Sequence, residues 1–196
     1  MRRRGLIVFL VYFFSCFFGS GVSAIDIGDK FLQLPLMVDW DKLKVLQGWL
    51  YTVKLNGSFE HGAMDYDCEP GEHIFAAADG IAMTSKQISA VTHSGYGNFV
   101  FVRHTNGYAT LYGHLSKPNE KIKTYGDAQR SNIQYGEWTQ VKKGDYIGEC
   151  GMSGTDNVHL HFEVTTGKYA VGRVDSYDLY KTKEFYPPHK SYITMG

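Results

Sequence analysis

The sequence predicts an antiparallel all-β domain, and three observations predict it. Short runs rich in β-branched and aromatic residues recur from about residue 47 onward, each bounded by Gly, Asn or Asp. One link between two such runs, Asn106-Gly107, is a strong hairpin signal, because a two-residue turn of this kind needs positive φ at both positions. A short echo, Pro70-Gly-Glu-His-Ile74 against Lys143-Gly-Asp-Tyr-Ile147, suits a two-sheet β-sandwich or barrel-like fold made of two similar halves.

In chain order, the first element is a targeting segment. Arg2, Arg3 and Arg4 precede an apolar run from Leu6 to Phe18, followed by Val22-Ser23-Ala24, which is the order of a secretory signal peptide cleaved after Ala24. The apolar run is shorter than the roughly 20 residues a helix needs to span a bilayer, and Cys16 is a passenger within it. The strand-like runs are then Gly48–Val53, Asn98–His104, Tyr108–Tyr112, Asp145–Gly148 and Val158–Val164. Between the third and fourth lies Lys117–Lys143, polar and without alternation, read as mainly a long loop. The tail from Thr166 to Gly196 reads as surface chain with a short helix near Ser176–Tyr180.

Cleavage leaves 172 residues, the size of one compact domain, taken as a monomer and as secreted or periplasmic. The chain has 20 basic and 20 acidic residues, and losing three arginines brings the mature charge to −3. No strong basic field remains to grip nucleic acid or an anionic membrane. Cys68 and Cys150 survive cleavage and enter an oxidising compartment. They form a disulfide if their Cα atoms come within about 7 Å, and are otherwise two buried thiols.

Three histidine motifs carry the chemistry: His61-Gly-Ala-Met-Asp65, Tyr112-Gly-His114-Leu115 and His159-Leu-His161-Phe-Glu163. Imidazole and carboxylate are common zinc ligands, and a catalytic zinc usually takes three protein ligands and keeps one position open. His159 and His161 are two apart in a strand-like run, so both leave the same face, about 6.5 to 7 Å apart, while Leu160, Phe162 and Val164 turn inward. One of the pair can bind a metal while its neighbour works beside it. His61 and Asp65 would be about 13 Å apart in a straight strand, so the backbone must bend between them to share one ion. Gly62 and Ala63 are small enough to allow that bend. His73, His93, His104 and His189 sit in turns, at a strand end or in the tail, and receive no chemistry.

With these motifs and Ala76-Ala-Ala-Asp-Gly80, Tyr96-Gly-Asn98, Gly107–Ser116 and Val141–Asp145, the chain resembles the lysostaphin and LytM type of zinc endopeptidases over roughly residues 33 to 165. The resemblance implies the duplicated hybrid motif fold. It implies a zinc ion on His61, Asp65 and His161, with His114 and His159 as the catalytic pair, and His159 is assigned the base. Glu163, two residues after His161 on the same strand face, either orients a ligand imidazole or is a solvated strand-end charge. Implied with them are peptidoglycan peptides as partners and hydrolysis of peptide bonds in stems or cross-bridges by zinc-activated water. Two alternatives remain: a non-catalytic zinc-binding module of the same fold that regulates a partner cell-wall hydrolase, and a secreted protease with another peptide substrate. The chain departs from the family pattern in two places. Gly62 follows His61 directly, so Ala63 takes the middle position where the family has glycine, and the Lys117–Lys143 stretch is expanded.

Overall fold

A computed structural model describes residues 30–39, 42–49, 52–54, 58–125, 138–168 and 171–180. The predicted signal segment, Cys16, the middle of the 117–143 stretch and the chain beyond residue 180 lie outside them. The described residues form β1 (Val45–Gln47), β2 (Thr52–Lys54), β3 (Ser58–Glu60), β4 (Met64–Tyr66), β5 (His73–Phe75), β6 (Gly80–Gln87), β7 (Gly97–Arg103), β8 (Ala109–Leu115), β9 (Lys117–Pro118), β10 (Thr139–Val141), β11 (Tyr146–Glu149), β12 (Leu160–Lys168) and β13 (Val171–Val174). The main sheet runs β1-β4-β12-β8-β7-β6-β10, with β13 also paired to β12; β5-β11-β9 and β2-β3 form two smaller sheets. All these strand pairings are antiparallel, as the sequence predicts.

The central strands are covered on both faces, which explains their nearly unbroken apolar runs. On β7, Val100 and Val102 enter the larger core with Tyr66, Tyr112, Leu160, Phe162 and Val164. Phe99 and Phe101, pointing the other way, join Met83, Leu111 and Trp138 in a second cluster. On β12 the alternation has functional weight, because the inward Leu160, Phe162 and Val164 leave His161, Glu163 and Thr165 on the opposite face.

The sequence echo is real in space. Residues 69–72 and 142–145 each close a four-residue turn by a backbone hydrogen bond, Glu72 N–H to Glu69 O and Asp145 N–H to Lys142 O. Gly71 (φ 82°) and Gly144 (φ 88°) supply the left-handed residue each turn requires. The strands that follow, β5 and β11, pair with one another and bury Ile74 and Ile147.

Several local expectations are corrected. The hairpin between β7 and β8 forms, but Asn106-Gly107 is not a two-residue turn. Thr105, Asn106 and Gly107 form a three-residue loop closed by His104 N–H to Tyr108 O, and only Gly107 (φ 86°) takes positive φ. Where a run over 48–53 is predicted, the described residues hold strands at Val45–Gln47 and Thr52–Lys54, with Gly48 O facing the His61 ring; residues 50 and 51 lie outside the described residues. The ends of the Lys117–Lys143 stretch are ordered as β9 and β10, whose backbone pairings with β11 and β6 need no side-chain alternation. Among the described residues, the tail holds the 3₁₀ turn Tyr177–Leu179, where a short helix is predicted, and β13, which no sequence-predicted run anticipates. Cys68 and Cys150 are bridged, with Cα atoms 6.4 Å apart.

Candidate metal centre

The pairing of β4, β12 and β8 assembles the site. Asp65 on β4 lies directly opposite His161 on β12, and His161 in turn lies opposite Gly113 on β8. Directly opposed residues share a face, so a side chain at 113 would stand against the His161 ring. A Cβ on Gly113 would lie 3.3 Å from His161 Cβ. His61 is delivered by the bend predicted before β4: its Nε2 is 3.3 Å from Asp65 Oδ1, and His161 Nδ1 is 2.9 Å from the same oxygen. The ligand atoms of His61, Asp65 and His161 all lie within 4.8 Å of one another. Two imidazoles and a carboxylate at that separation suit one zinc ion.

His114 reaches this face by breaking the strand alternation. Its neighbour Gly113 is on the metal face, so a regular strand would send His114 into the core. Instead His114 has φ 61°, an uncommon value for a residue with a side chain. Its ring centroid is 4.6 Å from that of His159 and 5.5 Å from that of His161. His159 sits just before β12 and is held there by backbone pairing with Gly151. Its Nε2 is 3.7 Å from Asp65 Oδ2. All five sequence-predicted residues therefore converge at the floor of one cleft of about 670 Å³. Walls from the 92–96 and 154–157 loops flank it, and Gln47 and Gln87 also line it.

Backbone carbonyls set the tautomers of three rings. His61 Nδ1 faces Gly48 O at 3.2 Å, His114 Nδ1 faces Ser153 O at 2.9 Å, and His159 Nδ1 faces Asn157 O at 3.0 Å. A carbonyl only accepts, so in each neutral ring Nδ1 carries the proton and Nε2 presents a lone pair. His161 is turned the other way, with Nδ1 towards Asp65 and Nε2 3.7 Å from Glu163 Oε2, an ion-pair distance rather than a hydrogen bond. Glu163 is itself buried and accepts hydrogen bonds from Tyr96 Oη at 2.7 Å and Arg173 Nε at 2.8 Å.

The metal-free electrostatics follow from these contacts. Burial works to raise the Asp65 carboxyl, but its hydrogen bonds with His161 and then His61 hold it well below the carboxylate range. Burial works to lower His161, yet its hydrogen bond to Asp65 and the adjacent Glu163 push it up to about 9. His114 goes the other way, pushed down to about 4 by burial and by its neighbours His161 and His159. Burial also lowers His159, opposed by the charge of Asp65.

Sequence reasoning missed the carbonyls of Gly48, Ser153 and Asn157, because a backbone contact leaves no residue-type signal. It also missed Arg173, which lies outside every histidine motif. The Ser153 carbonyl depends on a close approach at Gly97 (φ 64°), where an added Cβ would overlap Ser153 O. Gly97→Ala is therefore expected to destabilise the fold by about 1–3 kcal/mol, measured by urea unfolding. An unchanged midpoint would show that the loop gives way freely.

Known proteins are similar to this chain in sequence and in fold. Over 104 residues the chain is 35% identical to peptidoglycan DD-endopeptidase ShyC of Vibrio cholerae, covering 53% of this chain and 19% of that protein. The match thus spans about a fifth of that relative's length. Among solved structures, lysostaphin from Staphylococcus simulans superposes with a TM-score of 0.55 at 22% identity, over 76% of this chain and 53% of that one. A zinc-containing peptidase from Vibrio cholerae does so with 0.54 at 21% identity, over 82% and 41%. At those identities the likeness shows a shared fold. Residues 59–173, more than half of the sequence and all five converging side chains, match the model of peptidase family M23, and the chain belongs to that family.

Proposed function

We propose that the chain is an exported zinc metalloendopeptidase that hydrolyses peptide bonds in peptidoglycan stems or cross-bridges, with residues 1–24 as signal peptide and 25–196 as one peptidase domain. The observation that carries this reading is the division of the five side chains by orientation. His61 Nε2, Asp65 and His161 Nδ1 converge on one point, while His114 and His159 offer bare Nε2 atoms beside it. The first three are the zinc ligands and the last two the catalytic pair. ShyC, whose name specifies peptidoglycan, supports the substrate class.

Zinc bound here would polarise the scissile carbonyl and make water a nucleophile near neutral pH. The chain's own groups then manage protons and position. His159 is the better base, because Asp65 Oδ2 at 3.7 Å favours the imidazolium formed when Nε2 takes the proton. His114 is harder to protonate and orients the attacking water by accepting a hydrogen bond at Nε2. The low pKa of Asp65 keeps a negative ligand available throughout the working range.

Zinc affinity should depend on pH through His161. In the metal-free protein this ring holds a proton up to about pH 9, and zinc must displace it from Nδ1. The association constant is therefore expected to rise about tenfold per pH unit from pH 6.5 to 8.5 and to flatten above 9. Competition with a chromophoric chelator measures it, and a flat profile would count against His161 as a ligand.

The purified mature protein should contain about one zinc per chain and release soluble muropeptides from sacculi, with mass analysis naming the bond cut. His161→Ala should lose both properties, and undiminished digestion by this variant would overturn the proposal. Zinc binding without release from any wall preparation would instead identify a non-catalytic module.

A further inference from the structure

Arg173 is the cation beside this site that the mechanism above does not use. It lies on β13, opposite Thr165 of β12 and therefore on the same face as Glu163 and His161. Its side chain runs towards the metal centre and ends in two contacts: Nε donates to Glu163 Oε2 at 2.8 Å and Nη2 donates to Tyr96 Oη at 2.8 Å. Tyr96 Oη donates in turn to the same Glu163 oxygen at 2.7 Å, closing a three-membered ring of hydrogen bonds. The Glu163 side chain is 1% exposed, and its Oε2 stands 3.7 Å from His161 Nε2. Among the described residues, neither His161 Nε2 nor Glu163 Oε1 has a hydrogen-bond partner of its own.

The path of this side chain also accounts for the displaced glycine in the first motif. Arg173 crosses directly over Gly62, where an added Cβ would overlap Arg173 Cδ and lie 3.2 Å from Nε. A flexible arginine could ordinarily move aside, but this one is tethered at Nε and Nη2. Only glycine at 62 leaves the tethered path open, and Ala63, buried in the bend, can carry a methyl group.

We propose that Arg173 is a positioning residue for the metal centre: crossing Gly62, it clamps Glu163 and Tyr96 so that Glu163 is held as the carboxylate behind His161, at ion-pair distance from Nε2, and keeps Nδ1 aimed at the metal position. The guanidinium does this as a planar fork, two donors fixed relative to each other, which an ammonium group cannot reproduce. It also compensates a carboxylate that would otherwise be buried with only the Tyr96 hydroxyl as donor. The inference rests on the zinc reading above and concerns how the ligand is oriented.

The test reads zinc rather than wall cleavage. Chelator competition and the visible absorption of the Co²⁺-substituted protein are recorded for wild type, Arg173→Gln, Arg173→Lys, Glu163→Gln and Arg173→Gln/Glu163→Gln. Loss of a contact that orients a metal-bound imidazole typically weakens metal binding about 10–100-fold. Arg173→Gln is expected to show that loss with a changed Co²⁺ spectrum, Arg173→Lys to restore only part of it, and Arg173→Gln to add no further loss in the Glu163→Gln background. Wild-type zinc affinity and spectrum in Arg173→Gln would overturn the inference, as would an undiminished effect in the Glu163→Gln background.

Should Arg173→Gln fail to fold, Gly62→Ala tests the same path with the arginine present. It should weaken zinc binding and change the Co²⁺ spectrum, because the methyl group displaces the tethered side chain. Wild-type zinc affinity and spectrum in Gly62→Ala would overturn the inference. A wild-type protein that binds no zinc would refute the proposed function itself, and that result is distinct from variants that match a zinc-binding wild type.

Discussion

His159→Ala is expected to retain about one zinc per chain while kcat/KM for muropeptide release falls about 10²–10⁴-fold, the usual contribution of a positioned general base. The separation of binding from turnover follows from orientation. The His159 ring is held by its Nδ1 contact to Asn157 O and by strand pairing with Gly151, so its Nε2 faces Asp65 Oδ2 from outside the cluster of His61, Asp65 and His161. Removing it leaves that cluster complete. His161→Ala removes a proposed ligand and should lose zinc and activity together. Metal analysis beside a digestion assay on both variants separates the roles, and a His159→Ala enzyme with wild-type turnover would transfer the base role to His114.

Reduction of Cys68–Cys150, or its replacement by Cys68→Ser/Cys150→Ser, is expected to lower the unfolding free energy by about 4 kcal/mol, as expected for a bridge closing a loop of this size. The bridge spans 82 residues of sequence and joins the turn before β5 to the end of β11. Both cysteines are buried, and Cys150 exchanges backbone hydrogen bonds with this turn, accepting from Gly71 N–H and donating to Glu72 O. The next residue, Gly151, carries the backbone contact to His159, so loosening here reaches that ring. Urea unfolding with and without reductant measures the change. A loss below about 1 kcal/mol would mean that the two halves of the echo hold each other without the link.

Much of the fold was legible because its signals are local. Alternation on β12 assigns Leu160, Phe162 and Val164 to the core and His161 and Glu163 to the other face. The echo between residues 70–74 and 143–147 was legible because both turns need glycine at the left-handed position. What was misread depends on partners. β9, β10 and β13 are strands through backbone pairing with neighbours distant in sequence, and Asn106-Gly107 turned out to be part of a longer loop. The disulfide was left open rather than misread, since a Cα separation of 6.4 Å is a property of the folded chain.

By itself, the sequence determined the set of chemical groups, four motif histidines and an aspartate of types that ligate zinc or move protons, and an inward-outward alternation that puts His159 and His161 at one sheet face; their division into three ligands and a pair is what the family resemblance implies. Residue type and strand period are sufficient for the groups and the alternation, being carried by neighbours in the chain. Only the tertiary structure decided which nitrogen of each ring faces the cleft, how His114 crosses to the metal face, and why glycine sits at 62 rather than 63. Each of those depends on a carbonyl, a backbone torsion or an arginine supplied from elsewhere in the fold, and such contacts exist only once the strands have paired.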